Sequence, residues 1–229
     1  GYLSAEISKM TNANEVFGAL AQGYSRWGDV LAQSHVSSGP AMADVLDKLI
    51  SLEIVQKRAP INDPTNKRKS GYYVVDPLSL FYYRYVFRNT SARQLLDPEV
   101  FFDRHVSRDF EENYVPHMLE EICRQYLVRQ NRTGKIEPAF DAIGKYWYDD
   151  PANKTSGEFD VVTQDPEGYA FYEAKFRKSP ITQMMVDKEI AQVEATGLKC
   201  HRYGFFSRSG FEADGDDRTI FVDLPQMFE

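Results

Sequence analysis

Two short apolar runs separated by a turn constrain the fold of this chain most. Residues 157–162 and 169–176 are rich in Val, Phe and Tyr, and residues 165–168 between them read Asp-Pro-Glu-Gly. Such runs, bounded by Pro and Gly, predict a β-hairpin. Because side chains alternate between the two faces of a strand, we expect Glu158 and Asp160 to share one face of the first strand.

The second strand of the hairpin adds an acid and a lysine to the same region. Glu173 and Lys175 share a face of this strand, so we expect three acids and one lysine to lie close together. The sequence also predicts that apolar side chains border these charges. Those expected beside the charges are Val162 and Phe171, and those expected on the opposite face are Phe159, Val161, Tyr172 and Phe176.

Carboxylates bordered by apolar surface are costly unless a cation or a hydrogen-bond donor compensates them. Mg²⁺ prefers carboxylate and carbonyl oxygens, so we expect Asp160, Glu173 and the backbone carbonyl of Ala174 to bind Mg²⁺ or Mn²⁺. Lys175 would then orient a water or stabilise charge on a phosphate. An alternative stays open, in which the acids and the lysine of the hairpin form cross-strand ion pairs with a structural role alone.

The composition limits the class of protein. Its 229 residues, 42% of them hydrophobic, suffice for one large domain or two small ones. No run approaches the roughly 18 apolar residues of a membrane helix, and no signal peptide is recognisable, so we expect a cytoplasmic protein without a membrane partner. A net charge of −7 argues against wholesale adhesion to nucleic acid and leaves that role to local basic patches.

Cysteine and histidine give no sign of a metal centre. Cys123 and Cys200 lie far apart and outside any Cys-x-x-Cys pair, which favours reduced thiols, with Cys123 in a helix core. The four histidines are scattered, with no pair at i and i+4, and no Gly-x-Ser-x-Gly motif marks a nucleophilic serine. The first residue is Gly rather than Met, which fits either a piece of a longer protein or a residue left by cloning.

Residues 1–75 predict a winged helix-turn-helix domain. Helices are expected at residues 14–22, 27–33 and 40–52, the last capped by Ser37 or Ser38, and strands at residues 54–58 and 72–75. The wing between the strands is basic, and its residues predicted to contact DNA phosphates are Lys57, Arg58, Lys67, Arg68 and Lys69. The third helix carries no Arg, Asn or Gln suited to base edges, so a protein-contacting role for this domain is equally open.

The rest of the chain predicts an aromatic connector at residues 76–97, packed between two domains, and an α/β (α+β) domain at residues 98–229. Helix is expected over 98–130, with a fresh start at Pro116 and Glu120 at the edge of its apolar face. Strand is expected within 136–147, at the hairpin, and at 202–207 and 219–223. Residues 181–196 predict a helix with Met184 and Met185 in the core.

The order of these elements and the Asp-x(n)-Glu-x-Lys pattern resemble the PD-(D/E)XK nuclease superfamily, which has a restriction-endonuclease-like αβββαβ core. The ordered motifs extend the resemblance to a family of archaeal and bacterial P-loop ATPases of the AAA type. Those motifs are residues 75–87, 119–123, 144–147, 158–160 and 173–175. In that family an ATPase domain precedes a winged helix and a nuclease-like domain of unknown function.

The resemblance implies roles for four residues. Glu120 matches the acid of the first helix, Asp160 the metal-bridging acid, and Glu173 and Lys175 the pair on the third strand. This chain has no P-loop of its own, because Gly134-Lys135 and Gly144-Lys145 are not followed by Ser or Thr. The ATPase domain would therefore be a partner that lies outside this sequence.

Two functions follow from this reading. The first is a Mg²⁺-dependent DNA phosphodiesterase module of a larger ATPase, with Glu120, Asp160, Glu173 and Lys175 as catalytic residues. The second is a non-catalytic regulatory or scaffolding domain that keeps the nuclease fold and binds protein partners. A metal site at Asp160 discriminates between them, since a scaffold needs no cation there.

Overall fold

The computed structural model of the protein describes residues 12–150 and 155–228. The chain divides into two compact units. The first runs through Ala59 and resumes at Asn66–Phe110, and the second combines Pro60–Thr65 with the chain from Glu111 onward. No helix within the described residues is long and apolar enough to cross a membrane.

The first unit begins with three helices and a small sheet. The helices are α1 (Ala13–Ala21), α2 (Trp27–Ser34) and α3 (Gly39–Ser51), and the antiparallel strands are β1 (Val55–Arg58) and β2 (Gly71–Val74). Ser38 caps α3, because its hydroxyl accepts a hydrogen bond from the backbone N–H of Ala41. The predicted helices and strands of this region are confirmed to within one or two residues.

An aromatic segment follows β2 within the same unit. It contains α4 (Pro77–Phe81), a π-helical turn (Tyr82–Val86), a 3-10 turn (Phe87–Asn89) and α5 (Thr90–Leu95). Tyr83 stacks on Phe17 of α1 with ring centroids 4.2 Å apart, and its hydroxyl donates to Oδ1 of Asn14. The aromatic side chains predicted for a connector therefore also complete the core of the first unit.

Short helical pieces lead from the first unit to the long helix of the second. They are α6 (Pro98–His105), a turn at Ser107–Asp109 and a π-helical turn (Phe110–Tyr114). The long helix α7 (Val115–Arg132) carries Pro116 in its first turn, as predicted.

The second unit is a five-stranded mixed sheet with a helix on each face. Its strands are β3 (Ala142–Asp150), β4 (Thr155–Asp165), β5 (Gly168–Lys175), β7 (Cys200–Ser207) and β9 (Thr219–Asp223), in the spatial order β3-β4-β5-β7-β9. The first three are antiparallel, and β5, β7 and β9 run parallel. Helix α7 packs on one face, and α8 (Gln183–Glu194) packs on the other.

The predicted hairpin is present as β4 and β5. Asp165 pairs with Gly168 across a two-residue loop, and Oδ1 of Asp165 accepts hydrogen bonds from the N–H groups of Glu167 and Gly168. Gly168 has a φ of 139°, which a residue with a side chain rarely adopts. The turn chemistry therefore fixes the register of the two strands.

A β-bulge interrupts β4 at the predicted site. Gly144 of β3 pairs with Val162, and Tyr146 pairs with Phe159, so two residue steps on β3 face three on β4. Phe159 consequently packs on the α8 side with Val162, whereas Val161 packs on the α7 side. The prediction that Phe159 and Val161 cover the same face was wrong, because strict alternation fails at a bulge.

Three further expectations were wrong in detail. The strand predicted within residues 136–147 begins only at Ala142, since Pro138 has no N–H to donate to a ladder. The helix predicted from residue 181 is preceded by the short strand β6 (Ile181–Thr182), which pairs in parallel with β8 (Phe211–Glu212). Met184 is 80% exposed rather than in the core, where Val186 and Val193 lie instead.

Candidate functional site

Three carboxylates from three different elements interact on the second unit. Glu120 comes from α7, Asp160 from the bulge of β4 and Glu173 from β5. Burial raises the pKa of Glu120 to about 8, and the negative charges of Asp160 and Glu173 add to the effect. Glu120 therefore holds a proton at neutral pH, because a further negative charge is unfavourable beside these acids.

Lys145 bridges two of the acids. It is the β3 residue opposite the bulge, and its Nζ lies 2.6 Å from Oδ1 of Asp160 and 2.9 Å from Oε1 of Glu158. Burial disfavours the ammonium, but these two carboxylates outweigh it and hold the pKa of Lys145 above its usual range. Lys145 is therefore a permanent cation between the two acids.

Lys175 bridges a second pair. Its Nζ lies 2.5 Å from Oε1 of Glu173 on the same strand and 2.8 Å from Oε1 of Glu189 on α8. Burial raises the pKa of Glu173 despite the lysine, and the charges of Glu189 and Asp160 add to that rise. We refer to the seven residues as the acid–lysine cluster, and they are Glu120, Lys145, Glu158, Asp160, Glu173, Lys175 and Glu189.

The bulge places Asp160 where Lys145 can reach it and where it acts on Glu120. The neighbouring Val161 lies in the core beneath α7, the helix that carries Glu120. Glu173 belongs to the opposite side of its strand from Ala174, whose side chain packs against the same core. The cluster thus draws its charges from both faces of the sheet.

The chemistry of the donors fits a hard divalent cation, because carboxylate oxygens dominate and because burial, together with the neighbouring acids, raises the pKa of Glu120. The arrangement of side chains is less favourable. Within residues 12–150 and 155–228, no group of three or more His, Cys, Asp or Glu is placed to hold a metal ion. Asp160 and Glu173 are each bonded to a lysine instead.

The carbonyl of Ala174, the third predicted ligand, belongs to a residue within the β5–β7 ladder, where Ala174 pairs with Phe206. Of the four residues predicted to be catalytic, Glu173 and Lys175 form an ion pair, and Glu120 interacts electrostatically with Asp160 and Glu173.

Sequence reasoning missed Lys145 and Glu189. Lys145 stood in a predicted strand before the hairpin, and an antiparallel pairing of that strand with β4 places it opposite Asp160. The bulge sets the register of this pairing, and no sequence pattern predicts the bulge. The scatter of the four histidines along the sequence argues against a metal role for His117, but its Nδ1 lies 3.8 Å from Oε2 of Glu120, one turn further along α7.

The basic residues predicted for the wing lie on β1 and in the loop that follows it. Lys57 lies over the ring of Tyr72, with 5.5 Å between its Nζ and the ring centroid, and Arg58 lies over Tyr73 at 5.8 Å. Lys67 and Arg68 are exposed. Oδ1 of Asn66 accepts hydrogen bonds from the backbone N–H groups of Arg68 and Lys69, which shapes the turn that carries them.

The fold and the cluster define a mixed α/β protein with an acid–lysine site on a five-stranded sheet. Residues 82–192 match the model of DUF234, a family described as archaea bacterial proteins of unknown function. The matched stretch contains all seven residues of the acid–lysine cluster.

A curated relative is the uncharacterized protein MJECL04 of Methanocaldococcus jannaschii. It is 26% identical over 146 residues, which cover 62% of this chain and 31% of the relative. The chain therefore spans about a third of the length of this relative. Both similarities agree with the archaeal and bacterial family that the sequence resembles. The link of this chain to an ATPase and to a nuclease stays a prediction.

Proposed function

We propose that the acid–lysine cluster is the active site of a Mg²⁺- or Mn²⁺-dependent phosphodiesterase that acts on DNA. The observation that carries the proposal is the convergence of Glu120, Asp160 and Glu173 with Lys175, together with the raised pKa of Glu120. Buried carboxyl groups with raised pKa values are a common feature of catalytic sites. Asp160, Glu173 and the carbonyl of Ala174 would hold the cation.

Each side chain has a defined task in this proposal. A bound divalent cation would polarise a phosphate oxygen and lower the pKa of a water. Lys175 positions the water or stabilises charge on the phosphate, and Glu189 orients the lysine through the contact at 2.8 Å. Glu120 exchanges a proton near neutral pH, which suits a group that assists proton transfer. The ion pair between Lys145 and Asp160 has to break before Asp160 can bind the cation.

The test is calorimetric titration of Mn²⁺ at neutral pH and low salt, with and without a short DNA duplex. We expect the wild-type chain to bind the cation and Asp160→Ala to lose binding, because the substitution removes a ligand. Asp217→Ala, which removes an exposed carboxylate away from the cluster, is the matched control and keeps binding. We also expect the wild-type chain and Asp217→Ala to cleave single- or double-stranded DNA in Mg²⁺ or Mn²⁺, and Asp160→Ala to lose this activity.

Metal-dependent cleavage that survives Asp160→Ala would overturn this assignment. The absence of Mn²⁺ binding to the wild-type chain, both with DNA and without it, would do the same.

A specific observation favours the competing function, a non-catalytic regulatory or scaffolding domain. Asp160 and Glu173 are already paired with lysines, so the cluster is partly compensated without a cation. In that case Mn²⁺ does not bind, and Asp160→Ala changes stability alone.

The larger context of the chain is also a proposal. We infer a winged helix in the first unit from its three helices and two antiparallel strands, with the basic residues of the wing contacting DNA phosphates or a protein. We further infer that the chain forms the C-terminal part of an AAA-type ATPase whose nucleotide-binding domain precedes the winged helix and lies outside this sequence. The greater length of the archaeal relative is compatible with such an additional domain.

A further inference from the structure

An open cavity of about 570 Å³ lies in the first unit, away from the acid–lysine cluster. Three arginines and one histidine line it, namely Arg84, Arg88, Arg104 and His105. They come from the π-helical turn, the 3-10 turn and α6. In a chain with a net charge of −7, this concentration of positive charge in one concave site is unusual.

The wall of the cavity is fixed by a bidentate ion pair. Nε and Nη2 of Arg84 lie 2.5 and 2.9 Å from the two carboxylate oxygens of Asp109, and the hydroxyl of Tyr85 donates to the same carboxylate at 2.7 Å. Nη1 of Arg84 donates to the carbonyl of Ala21. Asp109 thus holds one arginine rigidly, and its own negative charge is neutralised.

The other two arginines have different surroundings. Arg88 and Arg104 are exposed, and neither forms an ion pair with any residue that the structure describes. Arg84 and Arg88 both line the cavity, from consecutive turns of the same segment. Two arginines free of ion pairs beside a neutralised pair give the cavity a net positive charge of about +2.

The segment that carries two of these arginines is itself irregular. The turn at Tyr82–Val86 is π-helical, and a second π-helical turn begins at Phe110, directly after Asp109. Such turns are rare and occur frequently at functional sites. Both members of the ion pair therefore lie in or next to a π-helical turn, which is an observation independent of the charge.

We propose that this cavity binds the phosphate group of a ligand. Arginine presents its N–H groups as a planar fork that matches two oxygens of a phosphate, so Arg88 and Arg104 together suit a phosphate mono- or diester. The phosphate has two chemical sources, a small phosphorylated molecule or the backbone of a nucleic acid. The site does not depend on the phosphodiesterase proposed above, since no residue is shared.

The test uses the whole chain and three probes, namely inorganic phosphate, pyrophosphate and a short DNA duplex, titrated at low salt. We expect Arg88→Gln with Arg104→Gln to lower the affinity for at least one probe by about tenfold or more, because two charge-assisted contacts are lost. Arg93→Gln, which removes an exposed arginine of α5 outside the cavity, is the matched control and binds like the wild type.

The probes separate the two sources. If the ligand is a small phosphate compound, pyrophosphate affinity falls and DNA affinity stays unchanged. If it is nucleic acid, DNA affinity falls, and the slope of log K against log salt becomes shallower by about 2. The inference is overturned if the wild-type chain binds none of the probes, or if the double variant binds all of them like Arg93→Gln. Neither result bears on metal binding at Asp160.

Discussion

Glu120 links the charge of the acid–lysine cluster to the stability of the fold. Burial and the neighbouring acids raise its pKa from 4.5 to about 8. The folded protein therefore keeps a proton that the unfolded chain releases above pH 4.5. Because Glu120 binds more protons in the folded state in this window, its contribution to the free energy of unfolding falls as the pH rises from about 4.5 to 8.

Glu120→Gln replaces the protonated acid with a neutral group of the same shape. We expect a free energy of unfolding about 2 kcal/mol above that of the wild type at pH 8.5 and a negligible difference near pH 4.5, after a discount for the 31% exposure of the side chain. Urea denaturation at both pH values measures this. Glu212→Gln, at an exposed position, is the control. Parallel pH profiles for wild type and Glu120→Gln would contradict the expectation.

The pairing of β5 and β7 depends on a close approach of Tyr172 to Gly204. These residues are partners in the parallel ladder, and a Cβ added to Gly204 would lie 2.2 Å from Cδ1 of the tyrosine ring. The ring is buried in the core beneath α7. A side chain at residue 204 would therefore push the ring or the strand out of place.

Gly204→Ala is expected to lower the free energy of unfolding by about 1–3 kcal/mol, because the added methyl group overfills this contact. Thermal unfolding followed by circular dichroism measures the loss. In α1, a Cβ at Gly18 meets no atom within 4 Å apart from the adjoining backbone of its own helix, so Gly18→Ala is expected to leave stability unchanged or to raise it by about 0.5–1 kcal/mol. Equal effects of the two substitutions would show that the contact with Tyr172 is unimportant.

At this scale the sequence predicts regular features well and irregular ones poorly. The turn of the hairpin follows from Pro166 and Gly168, and the cap of α3 follows from Ser38, because both depend on neighbouring residues alone. The bulge depends on how β4 pairs with a distant strand, so local alternation placed Phe159 on the wrong face. The same distant pairing concealed the role of Lys145.

The whole molecule is not divided at one point of the chain. Residues 60–65 belong to the second unit, although the residues on both sides belong to the first. The N–H of Ile61 donates to the carbonyl of Lys145, and the side-chain amide of Asn62 exchanges two hydrogen bonds with the backbone of Trp147, at 2.7 and 3.1 Å. This segment covers part of β3, the edge strand of the sheet.

Asn62→Ala is therefore expected to destabilise the second unit by about 1 kcal/mol, because the backbone N–H and carbonyl of Trp147 lose their hydrogen bonds to the side chain and bond to water instead. Thr65→Ala, at an exposed position of the same segment, is the control and is expected to be neutral. Hydrogen exchange of the amide of Trp147 reports the effect locally. Unchanged protection of this amide in Asn62→Ala would contradict the role given to the side chain.

The sequence predicted continuous domains at residues 1–75 and 98–229, because patterns of hydrophobicity and charge are read along the chain. Residues 60–65 belong to the second unit because they contact β3, some 85 residues further along the chain. No pattern in the loop itself predicts these contacts. The convergence of Glu120 with the hairpin was predictable only through the family resemblance. Composition and spacing gave the hairpin acids, and the resemblance added the acid of α7.

The contacts of residues 60–65 also determine when this segment can fold during synthesis. Asn62 leaves the ribosome 85 residues before Trp147, its hydrogen-bonding partner. At roughly 5–20 residues per second, the segment waits about 4–17 s for β3 to be translated. The first unit has its sequence through Phe110 complete within that interval, while four of the five strands of the second unit's sheet have yet to emerge when Trp147 does. The nascent chain thus has to keep this short stretch accessible until the edge to which it binds exists.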